Sequence, residues 1–211
     1  MPRRAPVRAA FLFMASTTEW DERFRRGDHA SSEIDPFLSE SKRYWALLNG
    51  GATPSGSTFS GKRAVDLACG AGRHAVYLAE AGFDVTAVDF SEEGLASARR
   101  LAESREVSIE TVALDLEADG IDLGEQTYDL AVVFFYLHRP LFPRIARCLR
   151  PGGLVIYKTY SVDQLRYPGC PRHRIHMLEH NELLKVFSEF RVLRYEEEWE
   201  GKGTAALVAQ K

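Results

Sequence analysis

Chemistry concentrates first in VDLACGAGRHAVYLAEAGFDVTAVDFS, Val65 to Ser91. Gly70 and Gly72 stand where a strand turns into a helix. There a missing Cβ lets the backbone approach a ligand and leaves helix N–H groups free. Asp89 ends the next strand, where a carboxylate can accept hydrogen bonds from both hydroxyls of a ribose. Gly70-Ala71-Gly72-Arg73-His74-Ala75 also satisfies the dinucleotide fingerprint GxGxxA, so this loop alone does not choose between ligands. Two acidic positions narrow the choice. Asp66 lies inside the strand before the glycines, where a carboxylate suits an ammonium or sulfonium and would repel a pyrophosphate. Asp115-Leu116 ends a third strand, a position suited to an adenine amino group.

A second concentration is GCPRHRIHMLEH, Gly169 to His180, preceded by Lys158, Tyr160 and Arg166. His173, His176 and His180 have the spacing of helical metal ligands. Arg172 and Arg174 flank the first of them and would repel a dication, and Glu179 is the one carboxylate nearby, so no metal is expected. A rim facing an anionic or polar acceptor, a nucleic-acid contact and a solvated connector remain open. Tyr136-Leu137-His138-Arg139-Pro140 follows the fourth strand. His138 reads as a general base, a polar clamp or a histidine capping the next helix.

These residues need a scaffold that brings strand ends together. RAVDLA (63–68), DVTAVDF (84–90), VSIETVALDL (107–116), YDLAVVFFYL (128–137) and LVIYKTY (154–160) read as strands. Helices are expected at 73–81, 91–103, 141–149 and 179–187. The nearly unbroken apolar run at 128–137 suits a central strand buried on both faces. Alternation of this kind builds a doubly wound α/β sheet, mostly parallel, whose ligands bind at the carboxyl ends of the strands. FRVLRYEEEW and TAALVAQ around Gly201-Lys202-Gly203 form a closing antiparallel hairpin and make the sheet mixed. The short turn from Glu198 to Thr204 leaves little room for polar substrate residues.

Upstream, a helix after Thr17 places Trp20 and Phe24 on one face, and Gly27 stops it. A second helix spans Pro36 to Asn49 with Phe37, Tyr44, Leu47 and Leu48 as its apolar members. The expected organisation is a disordered extension over 1–16 with Met14 as the working start, a helical lid over 17–50, a Gly/Ser/Thr-rich linker over 51–61 and the sheet domain over 62–211.

Net charge is −3, with 45% hydrophobic and 27% charged residues. These values provide no global drive toward nucleic acid or an anionic membrane. No apolar run approaches the roughly 20 residues that a bilayer requires. Cys69, Cys148 and Cys170 form no CxxC pair, which reads as reduced thiols in a cytoplasmic protein.

From about Arg63 onward the chain resembles the class I S-adenosylmethionine-dependent methyltransferases. Asp66, Gly70 and Gly72 match their first motif, Asp89 the second, Asp115 the third, Tyr128-Asp129 with Phe134 the fourth, and Pro151-Gly152-Gly153 stands before strand five. The resemblance implies a seven-stranded Rossmann-like sheet with a reversed last strand and S-adenosyl-L-methionine as cofactor. It places Gly70 against the methionine moiety and Asp66 near its amino group. Asp89 would hold the ribose, Phe90 stack on adenine and Asp115 read its N6. Ala68, Leu116 and Phe134 join this set. GRHAVYLAEAGFDVTAVDFS and TEWDERFRRGD are similar to the tellurite-resistance and thiopurine methyltransferase branch. That similarity implies that Arg73 orients the methionine carboxylate and that Trp20 and Phe24 form a lid. Tyr136, His138, Arg172, His173 and Arg174 are then the candidates for handling the acceptor. FFYL replaces the Asp/Asn-Pro-Pro-Tyr/Phe sequence of enzymes that methylate base amines. The expected activity is methyl transfer to a small molecule. An RNA or protein methyltransferase and a non-catalytic cofactor-binding subunit are the alternatives. The oligomeric state is not legible.

Overall fold

The computed structural model describes residues 17–27, 33–50, 59–169 and 171–211. The extension over 1–16, most of the expected linker and Cys170 lie outside the described residues. The core is one sheet in the order β3-β2-β1-β4-β5-β7-β6. Its strands are β1 (Arg63–Leu67), β2 (Asp84–Asp89), β3 (Glu110–Ala113), β4 (Tyr128–Phe134), β5 (Leu149–Tyr160), β6 (Arg191–Glu198) and β7 (Thr204–Gln210). The first five run parallel, whereas β7 is antiparallel to both β5 and β6. This is the doubly wound, seven-stranded mixed sheet with its reversed hairpin.

Every residue of β4 is buried. Leu130, Val132 and Phe134 pack into the core on one face, and Ala131 and Val133 into the core on the other. A strand between two helical layers has no solvated face, which accounts for its continuous apolar run. The helices are α1 (Thr17–Arg26), α2 (Pro36–Ser41), α3 (Arg73–Glu80), α4 (Glu92–Ser104), α5 (Phe142–Cys148) and α6 (Glu182–Val186). Ser91 caps α4 as expected, its Oγ accepting from the Gly94 N–H at 3.1 Å. No helix among the described residues is long and apolar enough to cross a membrane.

Several boundaries differ from expectation for identifiable reasons. The third strand shrinks from 107–116 to four residues, because β3 is an edge strand that pairs only with Thr86 to Asp89 of β2. The fifth lengthens backward to Leu149, with a register shift opposite Tyr128 and Leu130 that absorbs Pro151-Gly152-Gly153. A Cβ at Gly153 would sit 2.9 Å from the Arg150 carbonyl oxygen and 3.1 Å from that of Asp129. The helix expected over Pro36 to Asn49 is α-helical only to Ser41 and continues as a 3₁₀ segment, Lys42–Asn49. Trp45 and Leu48, three residues apart, are its buried members, whereas Tyr44 and Leu47 are only half-buried. The last helix is α6, shorter than 179–187.

Candidate functional site

The carboxyl ends of β1, β2, β4 and β5 lie along one edge of the sheet and collect most of the residues singled out above. The turn after β1 needs three left-handed residues, Ala68 (φ 58°), Gly70 (φ 54°) and Gly72 (φ 79°). Ala68 tolerates this at a cost of about 1 kcal/mol or more, a strain that concentrates at binding sites. Gly72 has no alternative, since a Cβ there would collide with the Ala98 side chain of α4. The turn leads directly into α3.

Asp66 is 1% exposed, and its Oδ2 has no hydrogen-bond partner among the described residues. Burial pushes its carboxyl up to about 8, against a hydrogen bond from the Ala75 backbone that lowers it. An orphan buried carboxylate oxygen beside a glycine turn fits a cationic ligand group. Asp89 is also buried, but it is occupied. Its Oδ2 accepts from the Gly70 N–H at 2.8 Å and its Oδ1 from the Ser91 N–H at 2.9 Å. Burial raises its pKa while these backbone bonds oppose the rise. Asp89 therefore clasps the glycine turn to the end of β2, and each oxygen keeps lone-pair capacity for a ligand hydroxyl. Phe90 is half-buried next to it.

Asp115 is exposed, and its Oδ1 accepts from the Glu117 N–H at 2.9 Å. Leu116, by contrast, is 5% exposed and belongs to the core. His74 is buried with its ring centroid 4.2 Å from that of Phe134. Burial, with a smaller contribution from Arg73, drives His74 down to about 3, so it is neutral at physiological pH. Arg73 donates from Nη1 to the Glu33 carbonyl at 3.2 Å.

Helix α1 lies over this turn. Ser91 Oγ donates to Asp21 Oδ1 at 2.5 Å, and Arg25 pairs with Glu93 at 2.9 Å. The Phe24 ring is the nearest neighbour of both Gly70 and Gly94: a Cβ at these positions would lie 3.3 Å and 3.1 Å from it. Trp20, half-buried, has its ring centroid 6.0 Å from that of Phe24.

After β4 the chain passes through Phe135, another non-glycine residue with positive φ (57°). Tyr136 is half-buried and its hydroxyl is 3.4 Å from Glu117 Oε1. Burial, then the charge of Glu117, raises its pKa far above the ordinary tyrosine value, so it remains a phenol. His138 is half-buried and its side chain makes no capping bond to the 3₁₀ segment Arg139–Leu141. Arg139, which sequence reasoning passed over, binds Glu182 bidentately at 2.7 and 2.9 Å and donates to the carbonyls of Ile175 and Met177 at 2.9 Å.

Gly169 to His180 follows β5 as expected. Arg172 is exposed and donates to the Tyr167 carbonyl at 3.1 Å. Arg174 grips Glu179 at 2.8 and 2.9 Å, and His173 is exposed. His180 Nδ1 lies 2.9 Å from Glu197, which raises its pKa. Among the described residues no three His, Cys, Asp or Glu side chains converge as metal ligands. Two further cations face the same edge. Lys158 pairs with Asp35 at 3.0 Å, both nearly buried. Lys202 reaches back from the last turn to lie 4.3 Å over the Phe135 ring and 5.3 Å over that of Tyr160. Lys202 is the charged side chain of this short turn that reaches the rings at the end of the sheet.

Comparison with known proteins follows the same outline. Residues 64–153 match the family described as "Methyltransferase domain". The "Probable S-adenosyl-L-methionine-dependent methyltransferase TehB" of Haemophilus influenzae (strain 10810) is 29% identical over 166 residues, covering 74% of this chain and 56% of that protein. The crystal structure of TehB from Haemophilus influenzae superposes with a TM-score of 0.65 at 22% identity, over 90% of this chain and 67% of that one. Residues 64–153 thus carry a methyltransferase domain, and the chain is similar to the class I S-adenosylmethionine-dependent methyltransferases of the TehB branch. It spans about half the length of the curated relatives it matches. A Burkholderia thailandensis 1,6-didemethyltoxoflavin-N1-methyltransferase, solved with 1,6-didemethyltoxoflavin and S-adenosylhomocysteine, shares the fold with a TM-score of 0.62 at 20% identity, over 100% of this chain and 93% of that one.

The matched span is informative. It contains Asp66, the glycine turn, Asp89, Asp115 and Phe134 and stops before Lys158, Arg172, Arg174 and Lys202. The family match therefore covers the glycine turn and the acidic strand ends and stops short of those later cations.

Proposed function

We propose that this domain transfers a methyl group from S-adenosylmethionine to a small-molecule acceptor. The observation that carries the small-molecule reading is the roof. Helix α1, with Phe24 against Gly70 and Gly94, covers the glycine turn and narrows approach to it. A folded RNA or protein surface needs an open edge there, whereas a metabolite needs only a gap.

The cofactor supplies, when bound, a methyl group on a sulfonium that an in-line nucleophile can displace. The chain's contribution is chiefly placement and exclusion of water. Asp66 offers an otherwise unpartnered carboxylate oxygen to the amino group, Asp89 accepts from the ribose while holding Gly70, and Phe90 and Asp115 stand at the adenine side. Gly72, Arg73 and Ala68 shape the turn against the methionine part, Phe134 backs it, and Trp20 with Phe24 closes over it. Tyr136 remains protonated and serves as a hydrogen-bonding wall. His138 is the group after β4 that can accept a proton from a hydroxyl or amine acceptor, a step that a soft sulfur acceptor does not need. Arg172, His173 and Arg174 form the outer rim, with Arg174 neutralised by Glu179.

The experiment is methyl incorporation from labelled S-adenosylmethionine across thiols, selenium and tellurium oxyanions, phenols, carboxylates, amines and RNA. Transfer to one small-molecule class is expected. Transfer to RNA alone would overturn the small-molecule reading, and NAD binding without S-adenosylhomocysteine binding would overturn the whole of it.

A further inference from the structure

We propose that Lys202 anchors an acceptor subsite selective for a small aromatic carboxylate; this rests on the methyltransferase reading above. The subsite is built where β4, β5 and the turn before β7 meet. Phe135 and Tyr160 stand with ring centroids 5.3 Å apart, tilted by 48°. The Lys202 ammonium covers both rings. Among the described residues it makes no ion pair with a carboxylate; its charge rests on two π faces, a weak substitute for an anion.

Three cations, Lys202, Lys158 and Arg73, act on one another here against two carboxylates, Asp35 and Glu198. Burial lowers the Lys202 pKa most, the like charges of Lys158 and, more weakly, Arg73 add to it, and Asp35 and Glu198 oppose it. The carboxylates within range are engaged elsewhere: Asp35 holds Lys158 and caps α2, and Glu198 accepts from the Thr204 hydroxyl at 3.3 Å. Arg73 has a carbonyl and no carboxylate as its partner. A bound anion would relieve this repulsion, and movement of Lys202 onto it would uncover the Phe135 and Tyr160 faces for a flat apolar body. The charge and the ring are thus selected by the same displacement.

The turn that presents Lys202 is fixed in place. Gly203 donates to Gln164 Oε1 at 3.1 Å, and its carbonyl accepts from the Ser161 N–H at 3.1 Å. A Cβ at Gly203 would overlap the backbone of Asp163 and Gln164. Phe135 is held in a left-handed conformation that aims its ring at this turn. Only the flexible stem of Lys202 is left to move.

The test uses benzoate and its neutral analogue benzamide, titrated by calorimetry into the full chain saturated with S-adenosylhomocysteine. Benzoate should bind at least tenfold more tightly than benzamide. Lys202→Gln should abolish that preference with S-adenosylhomocysteine affinity unchanged, and Lys202→Arg should restore most of it. Equal binding of the two probes, binding of neither, or a preference retained in Lys202→Gln overturns the proposal. Failure of S-adenosylhomocysteine itself to bind overturns the methyltransferase reading first, so the two failures are distinguishable.

Discussion

Replacing Asp66 by asparagine should make the cofactor-free protein more stable and the bound protein less so. The carboxyl is fully buried, and burial raises its pKa from an ordinary 3.8 to about 8. An acid whose folded pKa is raised contributes its full stability below the unfolded value, here pH 3.8. That contribution is lost as pH climbs toward 8, because the unfolded chain ionises and the folded one does not. Each unit of pH in that window costs the folded state about 1.4 kcal/mol, which reaches about 4 kcal/mol at pH 7. Asparagine fills the same space without ionising, but it places an amide donor where Oδ2 already has no partner, at a cost of about 1–3 kcal/mol. The net gain expected at neutral pH is therefore about 1–3 kcal/mol, shrinking toward pH 4. Urea denaturation of both proteins at pH 5, 6, 7 and 8 measures it. Parallel pH profiles would refute the reasoning. On the binding side, S-adenosylhomocysteine should release close to one proton from the native protein at pH 7. This reads out as an enthalpy that differs between phosphate and Tris buffers and does not differ in Asp66→Asn.

Two further substitutions test the scaffold of the site. Asp89→Ala removes the acceptor of the Gly70 and Ser91 N–H groups, and should weaken S-adenosylhomocysteine binding by at least a hundredfold. It should also expose the Gly70 amide to hydrogen exchange, and unchanged exchange with lost affinity would reduce Asp89 to a ligand contact alone. Arg139→Gln removes the bidentate grip on Glu182 and the two carbonyl contacts. It should free the segment around Ile175, already 70% exposed, at a stability cost of about 2 kcal/mol given its partial exposure. Unaltered exchange across 172–180 would show that the segment is held by other contacts.

The glycine turn and its acidic neighbours are legible in sequence because their geometry is local. Asp66, Gly70 and Gly72 occupy one strand, turn and helix, and Ser91 needs only its own helix to cap. Asp89 reads in sequence only as a candidate ribose ligand, and its clasp on Gly70 depends on β1 and β2 pairing in register. The region proposed to take the acceptor was less legible because its partners are distant in sequence. Lys158 finds Asp35 across 123 residues and Arg139 finds Glu182 across 43, and no spacing rule encodes such pairs. The same limit governs Gly169 to His180. Its arginines read as free charges in sequence, whereas Arg174 is spent on Glu179 and Arg172 on a carbonyl. The cation with no carboxylate partner among the described residues sits instead on the last turn, in a glycine-flanked tripeptide that reads only as a hairpin.

The insertion of β7 between β5 and β6 bears on how the protein is made. Residues 204–210 occupy an interior place in the sheet, pairing on both sides, and Lys211 exchanges backbone hydrogen bonds with Gly152 and Gly153. During synthesis β5 must wait with an open edge until these residues emerge from the ribosome, and β6 has no neighbour to pair with meanwhile. An open edge beside a buried apolar strand is a template for wrong pairing. A chain stalled before residue 204 thus presents β5 to other nascent chains, and it also lacks Lys202's fixed turn. Completion of the sheet and completion of the proposed acceptor subsite are one event.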